Sequence, residues 1–513
     1  MSKVQIDDVH EGFIEFINNG NASIKINEKT FFIFKNNTKN ALHNDLVKVQ
    51  IIKKGNKLEG KVIEVLQRNK TKFVGKVQKN KKTTFVIIDN NKIHVDFYIK
   101  DDINATNDQK VLIEFIDWKD DEKSPRANII TIIGESGVND TEMNAIMYEY
   151  DLPIEFPLMV EAEAELISEE ITQEEIDKRR DLRDVITIGI DPFDSKDADD
   201  TIGLEFKDGY RYVSINIADV THYVKEGSEI DKEAYERGTS VYLVDRVIPM
   251  LPKRLSNNIC SLKAGKDKLS YSVIIKFDEQ FNIIDRWFGR TVIHVNKDYS
   301  YEQAQDVIEN GVKEETKDTD HVVLELDRIA KKLRSIRIKN SLELNGVEVK
   351  FILDENSKPT GVYYKEQKDS NKLIEEFMLL ANMEVAKFIK SKNLPCVNRI
   401  HESPDIIKIQ QVKDFVSKMG YELDVREENI KESLNKLVRE VKGTNEENIV
   451  NALITRSQKK ALYSTRDIGH FGLGFKNGYS HFTSPIRRKI DMYSHQLLSL
   501  ALGNDGYPKK DNL

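Results

Sequence analysis

Between Ile190 and Thr201 the chain carries five carboxylates in ten residues, Asp191-Pro-Phe-Asp194-Ser-Lys-Asp197-Ala-Asp199-Asp200. Like charges crowded in this way repel one another, and without compensation their pKa values rise. A divalent cation among them removes that cost. Ligands that are all oxygen suit Mg2+ or Mn2+, which keep several waters and bind substrate phosphate oxygens at the same time. Two such ions roughly 4 Å apart could stabilise both the attacking and the leaving oxygen of a phosphodiester displacement. A solvated acidic loop and a structural calcium site are the other readings of these residues. An EF-hand is excluded, because its D-x-D-x-D-G spacing with Glu at position twelve is absent. Composition alone leaves the choice open.

Other residues could serve a polyanion. Ser484-Pro485 reads as a helix N-cap followed by proline at the first helical position, with apolar residues recurring at 486, 490, 493 and 497. Arg487 and Arg488 then fall in the first turn, where cations oppose the helix dipole and a nearby anion would compensate both. An Arg487–Asp491 pair at i, i+4 is the structural alternative, and it would leave Arg488 as the better anion ligand. Tyr242 stands in a Val-Tyr-Leu strand, where a half-buried core tyrosine is the ordinary reading. Glu375 and Glu376 fall on the polar side of a helical pattern, as surface glutamates commonly do. From Lys53 to Lys82 there are eleven Lys or Arg against two acids, Glu59 and Glu64. That run, with Lys72 and Lys76 in it, Phe73 just inside and Phe85 just beyond, suits backbone tracking with occasional base stacking.

The elements that must position these residues follow from pattern. Phe13–Ile17, Ala22–Ile26, Phe31–Phe34, Leu46–Ile52 and Lys61–Leu66 read as strands, separated by turn material such as Asn18-Asn19-Gly20 and Lys54-Gly55-Asn56. A second set follows at Phe73–Val77, Thr84–Ile88, Ile93–Ile99 and Val111–Ile116. Two units of about 65 residues predict two small all-β barrels of the OB or cold-shock kind, over 1–67 and 68–135, in preference to one larger sandwich. Residues 136–180 read as an acidic helical connector, with helix over Asn139–Tyr150 and a charged helical stretch over Glu161–Arg180. From 181 to 513 strands (Val185–Ile190, Tyr212–Ala218, Tyr271–Phe277) mix with helices (about 319–338, 373–389, 405–418 and 429–441). This predicts one large α+β domain.

The length of 513 residues is too great for one core, and 39% hydrophobic with 32% charged residues describes an ordinary globular chain. A net charge of −8 argues against a protein that merely coats nucleic acid. No apolar run reaches the roughly 20 residues of a membrane span, and the start does not read as a secretory signal. Two cysteines, Cys260 and Cys396, make neither a disulfide framework nor a usual zinc site, so a reducing cytoplasm is the expected location.

The order of motifs adds a further expectation. After the aspartates come Ile217-Ala-Asp-Val220 with His222-Tyr-Val224, Arg237-Gly-Thr-Ser-Val-Tyr242, Val247-Ile-Pro-Met-Leu-Pro252 and Leu255-Ser-Asn-Asn-Ile-Cys-Ser-Leu262. Then come Ile374-Glu-Glu-Phe-Met-Leu-Leu-Ala-Asn382, Arg399-Ile-His-Glu-Ser-Pro404, Gly469-His-Phe-Gly-Leu473 and His481-Phe-Thr-Ser-Pro-Ile-Arg-Arg488. In this order and spacing they resemble the RNB-family exoribonucleases, the ribonuclease II and ribonuclease R family. Val138-Asn-Asp-Thr-Glu-Met143 with Leu152-Pro153 looks closest to the ribonuclease R branch. The resemblance implies two cold-shock domains ahead of the catalytic domain, and processive 3′→5′ hydrolysis of single-stranded RNA to nucleoside 5′-monophosphates. It also implies magnesium, with manganese as a substitute. By similarity Asp191, Asp197 and Asp200 are metal ligands, and Asp199 binds a second ion or orients the attacking water. The same similarity implies that Tyr242 stacks on a base near the 3′ end and that one of Arg487 and Arg488 contacts the scissile phosphate. It places a ribose contact at Glu375 or Glu376, while Asp194 falls outside the family set. The expected partner is the 3′ end of single-stranded RNA, with no membrane and a monomeric chain.

Two departures stand out. The family's aromatic residue after the arginine pair is replaced by Lys489-Ile490. The chain also ends at Leu513, where family members continue through further catalytic helices into an S1 barrel. An incomplete catalytic domain without S1 is therefore expected, and an RNA-binding protein of the same fold without turnover is the alternative reading.

Overall fold

The computed structural model describes residues 5–507 apart from 18–19, 28, 55–56, 82, 101–103, 345–347 and 356. The turn residues Asn18-Asn19 and Gly55-Asn56, Lys82 of the basic run, and the chain end from 508 lie outside the described residues. The chain divides into two units, Met1–Ile154 with Asp354–Lys358, and Glu155–Leu353 with Pro359–Leu513.

In the first unit β1 (Val9–Phe16), β2 (Ala22–Ile26), β3 (Lys29–Ile33), β4 (Leu46–Lys54) and β5 (Lys57–Gln67) pair in the order β3-β2-β1-β4-β5. Alternation turns Ile14, Phe16, Ile24, Ile33, Val47, Val49 and Ile51 into one core. A Cβ at Gly60 of β5 would lie 2.9 Å from both Ile33 and Val49, so only glycine lets β5 pass over that core. After this five-stranded sheet the strands β6 (Lys72–Lys79), β7 (Thr84–Ile88), β8 (Phe97–Ile99), β9 (Gln109–Asp117) and β10 (Arg126–Glu135) close a barrel. Within this unit the sheet and the barrel touch. His94 stacks on Phe16 with ring centroids 4.4 Å apart, and Arg68 pairs with the buried Asp45.

Residues 136–180, expected as a connector with one long charged helix, divide between the units. The helix α1 (Asn139–Glu149) lies on the second barrel, with Ala145 against Val74 and Leu112. The stretch 161–180 is not one helix. It comprises the end of α2 (Leu158–Leu166), a break, and α3 (Gln173–Asp177), which Thr172 caps by accepting from the Glu175 N–H. Val160 and Ala164 bury α2 in a core of the second unit, beside Ile230 and Ala234.

That second unit is built on a seven-stranded sheet. Its strands are β11 (Arg180–Leu182), β12 (Ile186–Asp191), β13 (Asp200–Lys207) and β14 (Tyr210–Ala218). After α4 (Val220–Tyr223), α5 (Glu229–Arg237) and the short pair β15 (Val241–Tyr242) and β16 (Val247–Ile248), they continue as β17 (Asp267–Phe277), β18 (Ile283–His294) and β19 (Lys297–Ser300). The order is β11-β18-β17-β14-β13-β12-β19. Helices α6 (Tyr301–Asn310), α7 (Lys317–Arg337) and α8 (Asp369–Ser391) bring Val307, Leu326, Leu373 and Phe377 against Ile188, Ile202, Ile215 and Val273. Between α7 and α8 lies the hairpin β20 (Glu348–Leu353) and β21 (Pro359–Lys365). Beyond α8 come β22 (Asn398–Ile400), α9 (Ile406–Ser417), α10 (Ile430–Val441), α11 (Glu447–Ser457), β23 (Leu462–Ser464) and α12 (Lys489–Leu502). The hairpin and α11 have no counterpart in the sequence reading. Among the described residues no helix is long and apolar enough to cross a membrane.

Candidate active site

The aspartate segment joins two antiparallel strands. Asp191 ends β12 and Asp200 begins β13, while Ile188, Ile190 and Ile202 anchor the strand ends in the core. The loop between them is held closely. Ala198 donates its N–H to Ser261 Oγ at 3.0 Å, and that hydroxyl donates to Lys196 O at 3.0 Å. Leu262 N–H reaches Ala198 O, and Ala218 N–H reaches Asp199 O. Asp199 is buried, Asp191, Asp197 and Asp200 are partly so, and Asp194 is exposed, as a turn residue would be.

Burial sets the electrostatics. It pushes the Asp191 carboxyl up to about 6; Lys263 pulls against it, and Asp298 and Asp197 add to it. Asp200 is pushed up to about 8 by burial and then by the charge of Asp191. Asp199 is held well above the carboxylate range by burial, although Arg487 and the Ile486 N–H oppose this. Its Oδ2 is buried without a hydrogen-bond partner. Among the described residues no three His, Cys, Asp or Glu side chains converge to enclose an ion. The donor set nevertheless fits a hard divalent cation, which commonly takes one or two carboxylates and completes its shell with water and substrate oxygens. Cationic charge here would relieve the mutual repulsion of Asp191 and Asp200.

Tyr242 is 51% exposed, so it is not the core residue that its strand suggests, and its hydroxyl donates to Asp197 Oδ2 at 2.8 Å. The arginine pair also departs from expectation. Helix α12 starts at Lys489, not after Ser484, because Arg488 adopts an extended backbone and bridges to Thr239. Residues 484–488 form a turn, with the Arg487 and Arg488 N–H groups both on Ser484 O. In that geometry Asp491 pairs with Arg488 and not with Arg487, accepting from Arg488 Nε at 2.8 Å and Nη2 at 2.7 Å. Arg487 turns toward the aspartates. Its Nε lies 3.3 Å from Asp199 Oδ2, its Nη2 donates to Ser484 Oγ, and Ile486 N–H donates to Asp199 Oδ1 at 2.8 Å.

Two other predictions need correction. Glu376 is not a surface residue. It is 3% exposed and bound by Arg337 Nε at 3.1 Å, because α8 packs that side against α7. Glu375 stays partly exposed beside the same arginine. In the barrels Phe73 is 2% exposed and packs on Phe97 in the second core, so it cannot stack on a base. Lys72 is exposed and Lys76 pairs with Asp108 at 3.2 Å. The open aromatic surface lies instead on Phe13 (63% exposed), Phe32 and Phe34, with Lys54 over the Phe34 ring. Period 2 could have found it, since Ile14, Phe16, Phe31 and Ile33 all face inward. Lys263 and Tyr301 were missed at the aspartates. Tyr301, whose phenol burial and then the charges of Asp200 and Asp191 push up, arrives through the β12–β19 pairing, which leaves no local signal.

Comparison with known proteins is consistent with this arrangement. The RNB domain model matches residues 179–504, and a cold shock domain model matches residues 85–157. Ribonuclease R of Thermotoga maritima is 37% identical over 515 residues, which cover 98% of this chain and 72% of that protein. Ribonuclease R of Aquifex aeolicus is 35% identical, over 90% of this chain and 66% of its own length. The structure of Mycoplasma genitalium RNase R in complex with ribose methylated single-stranded RNA superposes with a TM-score of 0.89 at 26% identity. That match covers 96% of this chain and 79% of the other. A carboxylate loop and an arginine turn joined through Asp199, in a chain so matched, place this protein in the RNB family of ribonucleases.

Proposed function

We infer that this chain is a hydrolytic exoribonuclease that shortens single-stranded RNA processively from its 3′ end and releases nucleoside 5′-monophosphates. The observation that carries the reading is the meeting of two segments 287 residues apart, where Ile486 and Arg487 both engage Asp199. We assign Asp191, Asp197 and Asp200 as the carboxylates that would hold Mg2+, with Mn2+ as a substitute, one or two of them directly and the rest through water. When bound, the ion supplies charge to the phosphate oxygens and an acidified water.

The chain's own residues supply the rest. The half-exposed ring of Tyr242, tethered to the loop through Asp197, offers a π-face to a base near the 3′ end without reading its identity. Arg487 is the phosphate ligand of the pair, because Arg488 is committed to Asp491 while the Arg487 side chain is 41% exposed. Its guanidinium stabilises the charge that develops as water adds to phosphorus and the 3′ oxygen of the preceding nucleotide leaves with a proton. Asp199 Oδ2, which accepts no hydrogen bond and has the Arg487 Nε ion pair at 3.3 Å, is the group we assign to orient the attacking water. Glu375 is the remaining candidate for the ribose 2′-hydroxyl, a contact that separates RNA from DNA. Phe13, Phe32 and Phe34, with Lys54 and Lys72, are the barrel surface we assign to the upstream strand. Both cysteines are free thiols, which accords with a reducing cytoplasm, and the chain is assigned as a monomer.

Purified protein with Mg2+ is expected to shorten single-stranded RNA and release mononucleotides, faster from a 3′-hydroxyl than from a 3′-phosphate end. Asp199→Asn should lower turnover by about a hundredfold or more with RNA binding nearly intact. If wild type and variant bind alike and neither cuts, the chain is an RNA-binding protein of the same fold.

A further inference from the structure

The aspartate loop is bound along its length by three consecutive residues of one distant segment. Ser261 is fully buried, and its hydroxyl spans the loop by donating to Lys196 O and accepting from Ala198 N–H. Leu262 N–H donates to Ala198 O at 2.9 Å. Lys263 Nζ donates to Ser195 O at 2.9 Å. The segment is itself well anchored, since Leu262 is wholly buried and the adjoining Cys260 N–H closes the π-helical turn of residues 255–259 on Leu255 O.

A loop rich in like charges tends to open, because separation lowers the repulsion. Four hydrogen bonds from one anchored segment oppose that opening. Their carriers differ in one respect. Ser261 contributes only geometry, whereas Lys263 brings an ammonium group onto the loop that carries the carboxylates. Geometry and charge must therefore act on a cation in opposite directions: a preformed loop favours it, and a resident positive charge disfavours it.

We propose that Ser261 and Lys263 are positioning residues of the aspartate loop, and that the Lys263 ammonium is its built-in counter-charge, displaced in effect when a divalent cation binds. The proposal rests on the assignment of the aspartates as metal ligands. Lys263 holds the loop shut between turnovers, and Ser261 keeps its backbone in one register whether or not the cation is there.

The test is a Mn2+ titration of the full chain without RNA, reading free Mn2+ by EPR, with thermal melting alongside. Ser261→Ala should weaken Mn2+ binding about tenfold or more. Lys263→Gln, which keeps a donor but removes the charge, should tighten it about fivefold. Lys263→Arg should stay near wild type. A purely structural role would move Ser261→Ala and Lys263→Gln together, toward weaker binding and lower Tm. Should Ser261→Ala fail to fold, the Lys263 pair still decides the counter-charge. Wild type that binds no Mn2+ would overturn the metal-ligand assignment and the clamp with it. Wild type that binds, with Ser261→Ala binding equally, overturns the clamp alone. Equal or weaker binding by Lys263→Gln overturns the counter-charge.

Discussion

Arg487 and Arg488 are adjacent in sequence and differently employed. Asp491, fully buried, takes two N–H groups from Arg488 and the backbone N–H of Ser484, so the second arginine braces the turn. Arg487→Lys should therefore lower kcat about 10²- to 10³-fold with little change in KM, since the planar fork that we assign to the phosphate is lost. Arg488→Lys should lower Tm and leave kcat of the folded enzyme close to normal. Steady-state rates and melting curves on both variants check this, and a normal Tm with lost kcat in Arg488→Lys would reverse the assignment. The clustering of the aspartates was legible in the sequence because they stand within ten residues of one another. The choice between the arginines was not, since an i, i+4 pairing presumes a helix where the chain makes a turn. Glu376 misled for a related reason: helical spacing shows which residues share a face, but not that Arg337 waits on the neighbouring helix to neutralise one of them.

Strand β6 shows why Phe73 was misread. The barrel interior takes Phe73, while α1 covers the outside over Val74, so both faces are buried and alternation disappears. Strands with one wet face, such as β1 and β3, kept their alternation, and both sets of strands were recognisable from it. The contact between the barrels has a pH signature. Burial lowers the His94 imidazole from 6.5 to about 4. The fold thus favours the neutral ring, so its contribution to stability is whole above about 6.5 and is lost as pH falls toward about 4. Hydrogen exchange of β1–β5 should show declining protection across that window. His94→Phe, which keeps a ring against Phe16 but cannot titrate, should flatten the decline. An unchanged slope in the variant would assign the acid sensitivity elsewhere.

Across the whole molecule the net charge is −8, yet basic residues gather between Lys53 and Lys82. Affinity for single-stranded RNA should accordingly fall steeply with salt, with a log–log slope of about 0.7 for each phosphate neutralised. Titrations across a range of KCl concentrations measure it, and a slope near zero would mean that the acidic surplus cancels the barrels' attraction. Sequence order has one more effect. The barrels precede the aspartates, and Ile486, which with Arg487 engages Asp199, comes 287 residues after it. During synthesis the first unit therefore emerges early, and the buried carboxyl of Asp199 stays without its Ile486 and Arg487 partners until that distant turn has been made.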